Sequence, residues 1–390
     1  MKRKYALHPQ EYAVEKTEQF YTKMAAKGWN LEKRGAYFSS FIPMEPAKRD
    51  YRLIAAIPAA SGETPFSEEQ IAAYRKNGWE YVTWHGFLHV FGAPGNAGAS
   101  ELCPEPEQQA AALKGLKKRY ISSLIQIPLS AAFFLFLGSM LGSYGEHGRL
   151  AASIYRIWVE NTAGMAGVIL LLLWLMFRDV RGAWHLGRLC RRMRDGERAG
   201  HESQSGYTIM RYISNFLFLA AVVFGCLAIG QRAGGYDRMM PGEADGPYLV
   251  LSDIGVTGER TQSFIKDRVS NVSYRRSLLA EHWDAYEVID VDGREVWMQQ
   301  DVYRLKDADM CSALVETLMK GAVFARSPEA FAAADIPGLD RAWVSDRLEC
   351  VAVKDDYVCF LMYPADRPEE LIPILRAVAG KWDSGPQNTR

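Results

Sequence analysis

The strongest constraint on this chain is the stretch from Tyr120 to Ile229, which holds three long apolar runs free of charged side chains. The first, Tyr120 to Leu141, is 22 residues long. At about 1.5 Å rise per helical residue it exceeds the roughly 30 Å hydrocarbon thickness of a bilayer. The second has its core at Met165 to Phe177 and extends back to Asn161, 17 residues in all, with Arg178 placed to snorkel to the interface. The third, Tyr212 to Ile229, has 18 residues and sits between Arg211 and Arg232. A buried helical hairpin of a soluble domain is the competing explanation. Three such runs in so short a stretch favour transmembrane helices.

The flanks set an orientation. Lys117, Lys118 and Arg119 precede the first run, and the connection from Arg178 to Arg211 carries eight arginines, among them Arg188, Arg191, Arg192 and Arg194. The connection from Gly142 to Glu160 carries only Arg149 and Arg156. Short basic loops stay cytoplasmic, so the N-terminus is expected inside and the C-terminus outside. The charge balance agrees: residues 1–121 and 122–230 each carry net +4, and residues 231–390 carry net −8. This spread also speaks against nucleic-acid binding, which needs a clustered basic face. Met1-Lys2-Arg3-Lys4 is basic but is followed by polar residues rather than an apolar h-region, so the first helix is expected to act as the insertion signal.

The N-terminal part reads as a repeat with an offset of 50 residues. A helix over Glu11 to Lys27 ends at Gly28-Trp29, and a second, capped by Ser67, ends at Gly78-Trp79. Strands are expected over Leu31 to Ile42 and Asp50 to Ile57, then over Glu80 to Trp84 and Phe87 to Phe91. Two αββ units would form one four-stranded antiparallel sheet with both helices on one face. Gly28, Gly78, Trp29 and Trp79 are the structural anchors of this reading; ligand stacking is the other role open to the two tryptophans. His85 and His89 alternate onto one strand face, and no third metal ligand lies nearby in sequence.

Here a resemblance enters. The segments Phe20-x-x-x-Met24-Ala25-Ala26-Lys27-Gly28-Trp29-x-Leu31, Asp50-Tyr51-Arg52-Leu53 and Tyr74-x-x-x-Gly78-Trp79-Glu80 resemble the bacterial membrane family called domain of unknown function 2812. The resemblance covers roughly residues 1–95 and extends to the membrane helices with basic flanks. It implies a membrane location and a frequent neighbourhood with PadR-type transcriptional regulators. It implies no catalytic residues.

After Arg232 the pattern is α+β. A strand is expected over Tyr248 to Ser252. Ala285 to Val291 and Arg294 to Val302 flank the hairpin signal Asp292-Gly293, and a helix follows over Ala308 to Val323. A second hairpin, turning at Asp355-Asp356, is followed by a helix over Pro368 to Lys381. These two ββα units suggest a small sheet covered by helices. The register through Asp355-Asp356 sets Ala352 opposite Cys359 and Cys350 opposite Leu361, so the two cysteines are diagonal and are expected as free thiols. The six cysteines show no metal-type spacing. The pairs Asp290/Asp292, Asp307/Asp309 and Asp355/Asp356 sit where turns are expected, and His282 stands alone.

The expected fold class is therefore α+β plus transmembrane α-helices. A cytoplasmic αββαββ domain spans 1–95, and a linker with a juxtamembrane helix spans 96–119. Three membrane helices over 120–230 cross at about 120–141, 161–177 and 212–229, and an extracytoplasmic α+β domain spans 231–390. No serine-nucleophile, zinc-protease or phosphate-loop motif is present. The expected function is a non-enzymatic sensory or regulatory one, coupling the outer domain to the inner; the alternative is an accessory subunit of a transporter or envelope assembly. No cofactor or metal is expected. The expected partners are the lipid bilayer and another membrane protein or a second copy, met through the small-residue pairs Gly138/Gly142, Ala163/Gly167 and Ala221/Gly225.

Overall fold

The computed structural model describes residues 3–56, 66–95, 106–142, 150–194, 204–263, 268–325 and 327–384, the side chains of 106–112, 133–142, 150–153, 192–194, 204–208 and 211 excepted. The chain divides into two compact units, Met1–Leu129 with Leu173–Ser214, and Ser130–Leu172 with Asn215–Arg390.

In the first unit the repeat is real, but its period starts one strand earlier than the αββ reading had it. The elements run β1 (Lys4–Leu7), α1 (Val14–Ala26), β2 (Trp29–Arg34), β3 (Phe38–Pro43), β4 (Arg49–Ala55), α2 (Glu68–Lys76), β5 (Glu80–His85) and β6 (Leu88–Pro94). The expected single strand over Leu31 to Ile42 is a hairpin, broken at Gly35. The expected four-stranded sheet is two three-stranded antiparallel sheets, β1–β3–β2 and β4–β6–β5. Each is a split βαβ unit, in which the helix crosses between two parallel strands and the third strand fills the gap. The duplication extends to backbone detail. Gly28 (φ +79°) and Gly78 (φ +86°) stop the two helices in the left-handed region. The register shifts between Leu31 and Lys33 in one sheet and between Tyr81 and Thr83 in the other. A Cβ on Gly28 would come within 2.9 Å of the Met44 carbonyl oxygen.

Helix α2 starts as its sequence dictates. Ser67 Oγ accepts the Gln70 amide at 3.2 Å, and the Gln70 side chain accepts the Ser67 amide at 3.0 Å. The core of the unit gathers around α1. Tyr21, Met24 and Ala25 join Leu31 and Phe41 of the first sheet to Tyr51, Leu53, Ala55, Leu88 and Val90 of the second. The opposite face of the second sheet is closed by α2, through Ile54, Trp79, Phe91 and Ala93 with Phe66, Tyr74 and Tyr81.

Four helices follow: α3 (Pro106–Gly142), α4 (Leu150–Glu160), α5 (Thr162–Arg194) and α6 (Gln204–Ala233). Among the described residues two segments, not the expected three, are long and apolar enough to cross a membrane: Thr162–Arg191 and Tyr212–Ala233. The expected first span lies in α3, and its side chains beyond 132 fall outside the described residues. Large apolar side chains stand exposed on all three long helices, including Ile125 and Leu129 of α3, Val168 and Leu173 of α5, and Phe216, Leu219 and Ile229 of α6. The small-residue pairs of α5 and α6 meet each other: a Cβ on Gly167 would stand 3.3 Å from the Gly225 nitrogen and 3.4 Å from the Ala221 carbonyl oxygen.

The second unit is built on one nine-stranded sheet rather than a small one. Its strands are β7 (Tyr236–Met239), β8 (Glu259–Arg260), β9 (Asn271–Arg276), β10 (Ala280–Val291), β11 (Arg294–Leu305), β12 (Phe331–Ala334), β13 (Arg341–Ser345), β14 (Glu349–Lys354) and β15 (Tyr357–Met362). The order is β12–β13–β14–β15–β11–β10–β9–β7, with β8 also paired to β10. The two ββα units are joined where β11 pairs with β15. Their helices, α7 (Met310–Lys320) and α8 (Leu371–Asp383), cover opposite faces. The expected strand over Tyr248 to Ser252 is absent; Leu251–Ile254 is a short 3-10 turn. Cys350 pairs with Leu361 and Ala352 with Cys359, the register read from the Asp355-Asp356 turn. Both thiols are free and buried on the face that α8 covers, and burial pushes Cys350 up to about 12.

Candidate functional site

The longest local element of the second unit is the β10–β11 hairpin. Asp292 (φ +53°) and Gly293 (φ +79°) take the two left-handed positions of its turn, and Asp290 accepts the Gly293 amide at 2.8 Å. From that turn the register runs without a slip for 12 paired positions, setting Asp284 opposite Asp301 and His282 opposite Tyr303. Helix α4 docks here. Tyr155 and Val159 enter the core on the α7 face, and Ser277 Oγ donates to the Val159 carbonyl at 2.5 Å. Asn161 then ends α4 and caps α5, its side chain accepting the Gly164 amide at 3.2 Å.

A charged network forms at that junction. Arg156 Nε donates to Glu160 Oε1 at 2.7 Å, and Arg156 Nη2 donates to Asp301 Oδ1 at 2.9 Å. His282 Nε2 lies 2.9 Å from the same Asp301 oxygen, and its Nδ1 lies 3.8 Å from Glu160 Oε1. Tyr303 donates its hydroxyl to Glu160 at 2.8 Å and stacks on the His282 ring at 4.3 Å between centroids, 7° from parallel. Arg268 reaches both Asp284 oxygens at 3.3 Å. Burial alone would raise the Asp301 carboxyl, but Arg156 and His282 outweigh it and hold it at about 2. Burial, with the Asp301 charge added, pushes Asp284 up instead. The Arg156 side chain remains 41% exposed while that of Asp301 is only 8% exposed, so the network opens to its surroundings at the guanidinium.

His282 is thus not alone, as the sequence had suggested. The acidic pairs are placed in turns: Asp307 accepts the Asp309 amide, the Asp355 amide donates to Asp340, and Asp356 pairs with Arg304. His85 and His89 do not share a strand. They lie on either side of the β5–β6 turn, where His85 pairs with Leu88 and His89 with Trp84, on opposite faces. Among the described residues no group of three or more His, Cys, Asp or Glu is placed to hold a metal ion.

In the first unit, the basic residues that flank the apolar runs lie at the packed ends of α3 and α5. Leu113 and Leu116 of α3 and Leu186 of α5 enter the core around α1. Tyr12 sits against Tyr120 and His185, with the Arg181 guanidinium 5.5 Å over its ring. Arg119 pairs with Glu11 at 3.7 Å, and the Lys117 ammonium lies against Gly187. Arg188 lies 4.5 Å over the Trp184 ring, while Lys118 and Arg191 are exposed. Arg192 and Arg194 lie in α5, their side chains outside the description. Trp79 is buried between α2 and the second sheet, whereas Trp29 is half-buried, with Lys4 Nζ 5.0 Å from its ring centre.

Residues 13–125 match the family described as "Protein of unknown function (DUF2812)". The match to DUF2812 runs from the start of α1 through the second sheet and into α3, so it holds the duplicated unit apart from β1 and stops short of the charged network. No curated protein and no solved structure matches the chain.

Proposed function

We propose that this chain is a non-enzymatic integral membrane protein of the regulatory kind, in which the C-terminal domain signals to the DUF2812 domain through the membrane helices. The observation that carries the reading is α5, an unbroken helix of 33 residues whose two halves belong to different compact units. At its start it is fixed to the β10–β11 hairpin through Asn161, Glu160 and Arg156; at its end Leu186 and His185 are packed against the DUF2812 domain. A stiff helix held at both ends passes a displacement along its axis, where a flexible linker would absorb it.

Three crossings, with the N-terminus inside and the C-terminus outside, fit this reading best. The two units part near 129, 172 and 214, within each of the three long helices. That grouping joins the arginine-rich connection to the N-terminal domain, and α4 to the C-terminal domain, as the basic-inside pattern requires. Helix α6 passes into β7 through only Gly234 and Gly235, which gives the outer sheet a second short link to the helices.

Hydrogen exchange on the full chain in lipid nanodiscs tests the coupling. Asp301→Asn is expected to alter amide protection both at residues 150–165 and, in the other unit, at residues 12–25 and 179–190. Loss of protection confined to the first region would refute the coupling.

A further inference from the structure

The duplication of the first unit exposes an asymmetry. The back face of the second sheet, lined by Leu53, Ala55, Leu88 and Val90, is buried against α1 and its neighbours. By the 50-residue offset, Phe38 and Ser40 stand where Leu88 and Val90 stand in the second copy. There, on the back face of β1–β3–β2, Phe38 stands exposed, and Ser40 is half-buried with its Oγ donating to Glu32 at 3.2 Å. Leu7 pairs with Phe38 and Tyr5 with Ser40, so Tyr5, Leu7 and Phe38 share this face. Their exposures are 67%, 64% and 57%, and Tyr37, at the adjoining turn, is 57% exposed. Clustered exposure of this kind marks an interaction surface.

Two observations say what covers it. The first is position. The Tyr37 hydroxyl lies within electrostatic range of the Arg178 guanidinium, and Arg178 is the first charged residue after the apolar run of α5. The β2–β3 turn therefore lies on the side of its unit that faces α5 near the end of the helix's apolar run. The second is chemistry. The face is aromatic and aliphatic, Arg3 and Lys33 border it, and Glu32, paired with Arg3 at 2.6 Å, is the carboxylate between them. Lys33 shares the face through its pairing with Ser40. Tyrosines beside basic residues are the composition of a membrane–water interface, where the rings sit at headgroup depth and cations meet anionic lipid.

We propose that this back face and the β2–β3 turn form an interfacial lipid-docking surface, in which Tyr5, Leu7, Tyr37 and Phe38 enter the headgroup–acyl boundary while Arg3 and Lys33 meet anionic headgroups. The inference rests on the membrane reading above. It makes the DUF2812 domain a lipid-bound module whose contact with the bilayer changes with any shift of α5. An apolar patch on a domain already tethered to the membrane needs little affinity of its own, because the tether supplies the effective concentration.

Photo-crosslinking on the full chain in vesicles of phosphatidylcholine and phosphatidylglycerol tests it. A benzophenone side chain is placed at Phe38 in one variant and, as a reference, at Leu219 on the exposed face of α6 in another. Lipid adducts from both positions are expected, and Arg3→Glu with Lys33→Glu should lower the yield at position 38 several-fold without changing that at 219. Adducts at 219 with none at 38, or a crosslinked dimer from 38, would overturn the docking surface and leave the membrane reading standing. No lipid adduct at either position would sink the membrane reading itself.

Discussion

Two side chains carry predictions of their own. Asp301 holds both Arg156 and His282 through a single oxygen. Asp301→Asn keeps the shape but removes the charge, leaving the Arg156 guanidinium with Glu160 as its remaining carboxylate partner. Because that guanidinium is only half-buried, the cost should be about 2–3 kcal/mol, below the loss from a fully buried pair; urea unfolding of the purified protein measures it. Acid should mimic the substitution. The folded carboxyl titrates at about 2, below its ordinary 3.8, so its stabilisation is complete above 3.8 and fades as pH falls towards 2. His89 acts in the first unit. It is fully buried, with its Nδ1 at 3.1 Å from the Tyr81 hydroxyl and, among the described residues, no partner for its Nε2. Burial lowers it from 6.5 to about 4. The unfolded chain therefore takes up a proton before the folded one does, and stability present above 6.5 is lost as pH drops towards 4. Amide protection in β5 and β6 should decline over that window in the wild type and stay flat in His89→Phe; an unchanged slope in the variant would assign the loss to another group.

Among the elements, the contact between α5 and α6 separates two glycines that look alike in sequence. Gly167 has backbone of α6 at 3.3 Å from where its Cβ would be, while Gly225 has nothing within 4 Å among the described residues. Gly167→Leu should part the helices and lower the melting temperature in detergent. Gly225→Ala should be neutral or stabilising by up to about 1 kcal/mol, since alanine is the better helix former. Equal effects would refute the packing. The two repeat tryptophans separate in the same way. Trp79→Ala empties a buried cluster and should cost about 3–5 kcal/mol, and Trp29→Ala, at a half-buried site, clearly less; limited proteolysis of the first unit reads both. The repeat was legible because Gly28-Trp29 and Gly78-Trp79 punctuate it with left-handed glycines. Its true period was hidden, because β1 is only four residues long and Gly35 alone gave too weak a signal to split the run from Leu31 to Ile42. The hairpin that carries part of the charged network was legible in its Asp292-Gly293 turn, but the expected strand began at Ala285 and left out Asp284 and His282, which the longer β10 sets opposite Asp301 and Tyr303. The rest was not: Arg156 and Asp301 lie 145 residues apart, and no local pattern announces a contact at that distance.

At the scale of the whole molecule, the family match is confined to residues 13–125, and no curated protein or solved structure matches the chain that carries the C-terminal sheet. Hydropathy was enough to mark two of the three expected spans, because it acts over a helix length and does not depend on tertiary contacts. The role of α4 was not, since its value lies in which sheet it docks against. Under the proposed topology, the C-terminal sheet and the arginine-rich connection face different compartments. Alkaline phosphatase fused after Arg198 and after Asp245 tests this most directly. The account predicts an inactive fusion at Arg198 and an active one at Asp245; activity at Arg198 with none at Asp245 would contradict it.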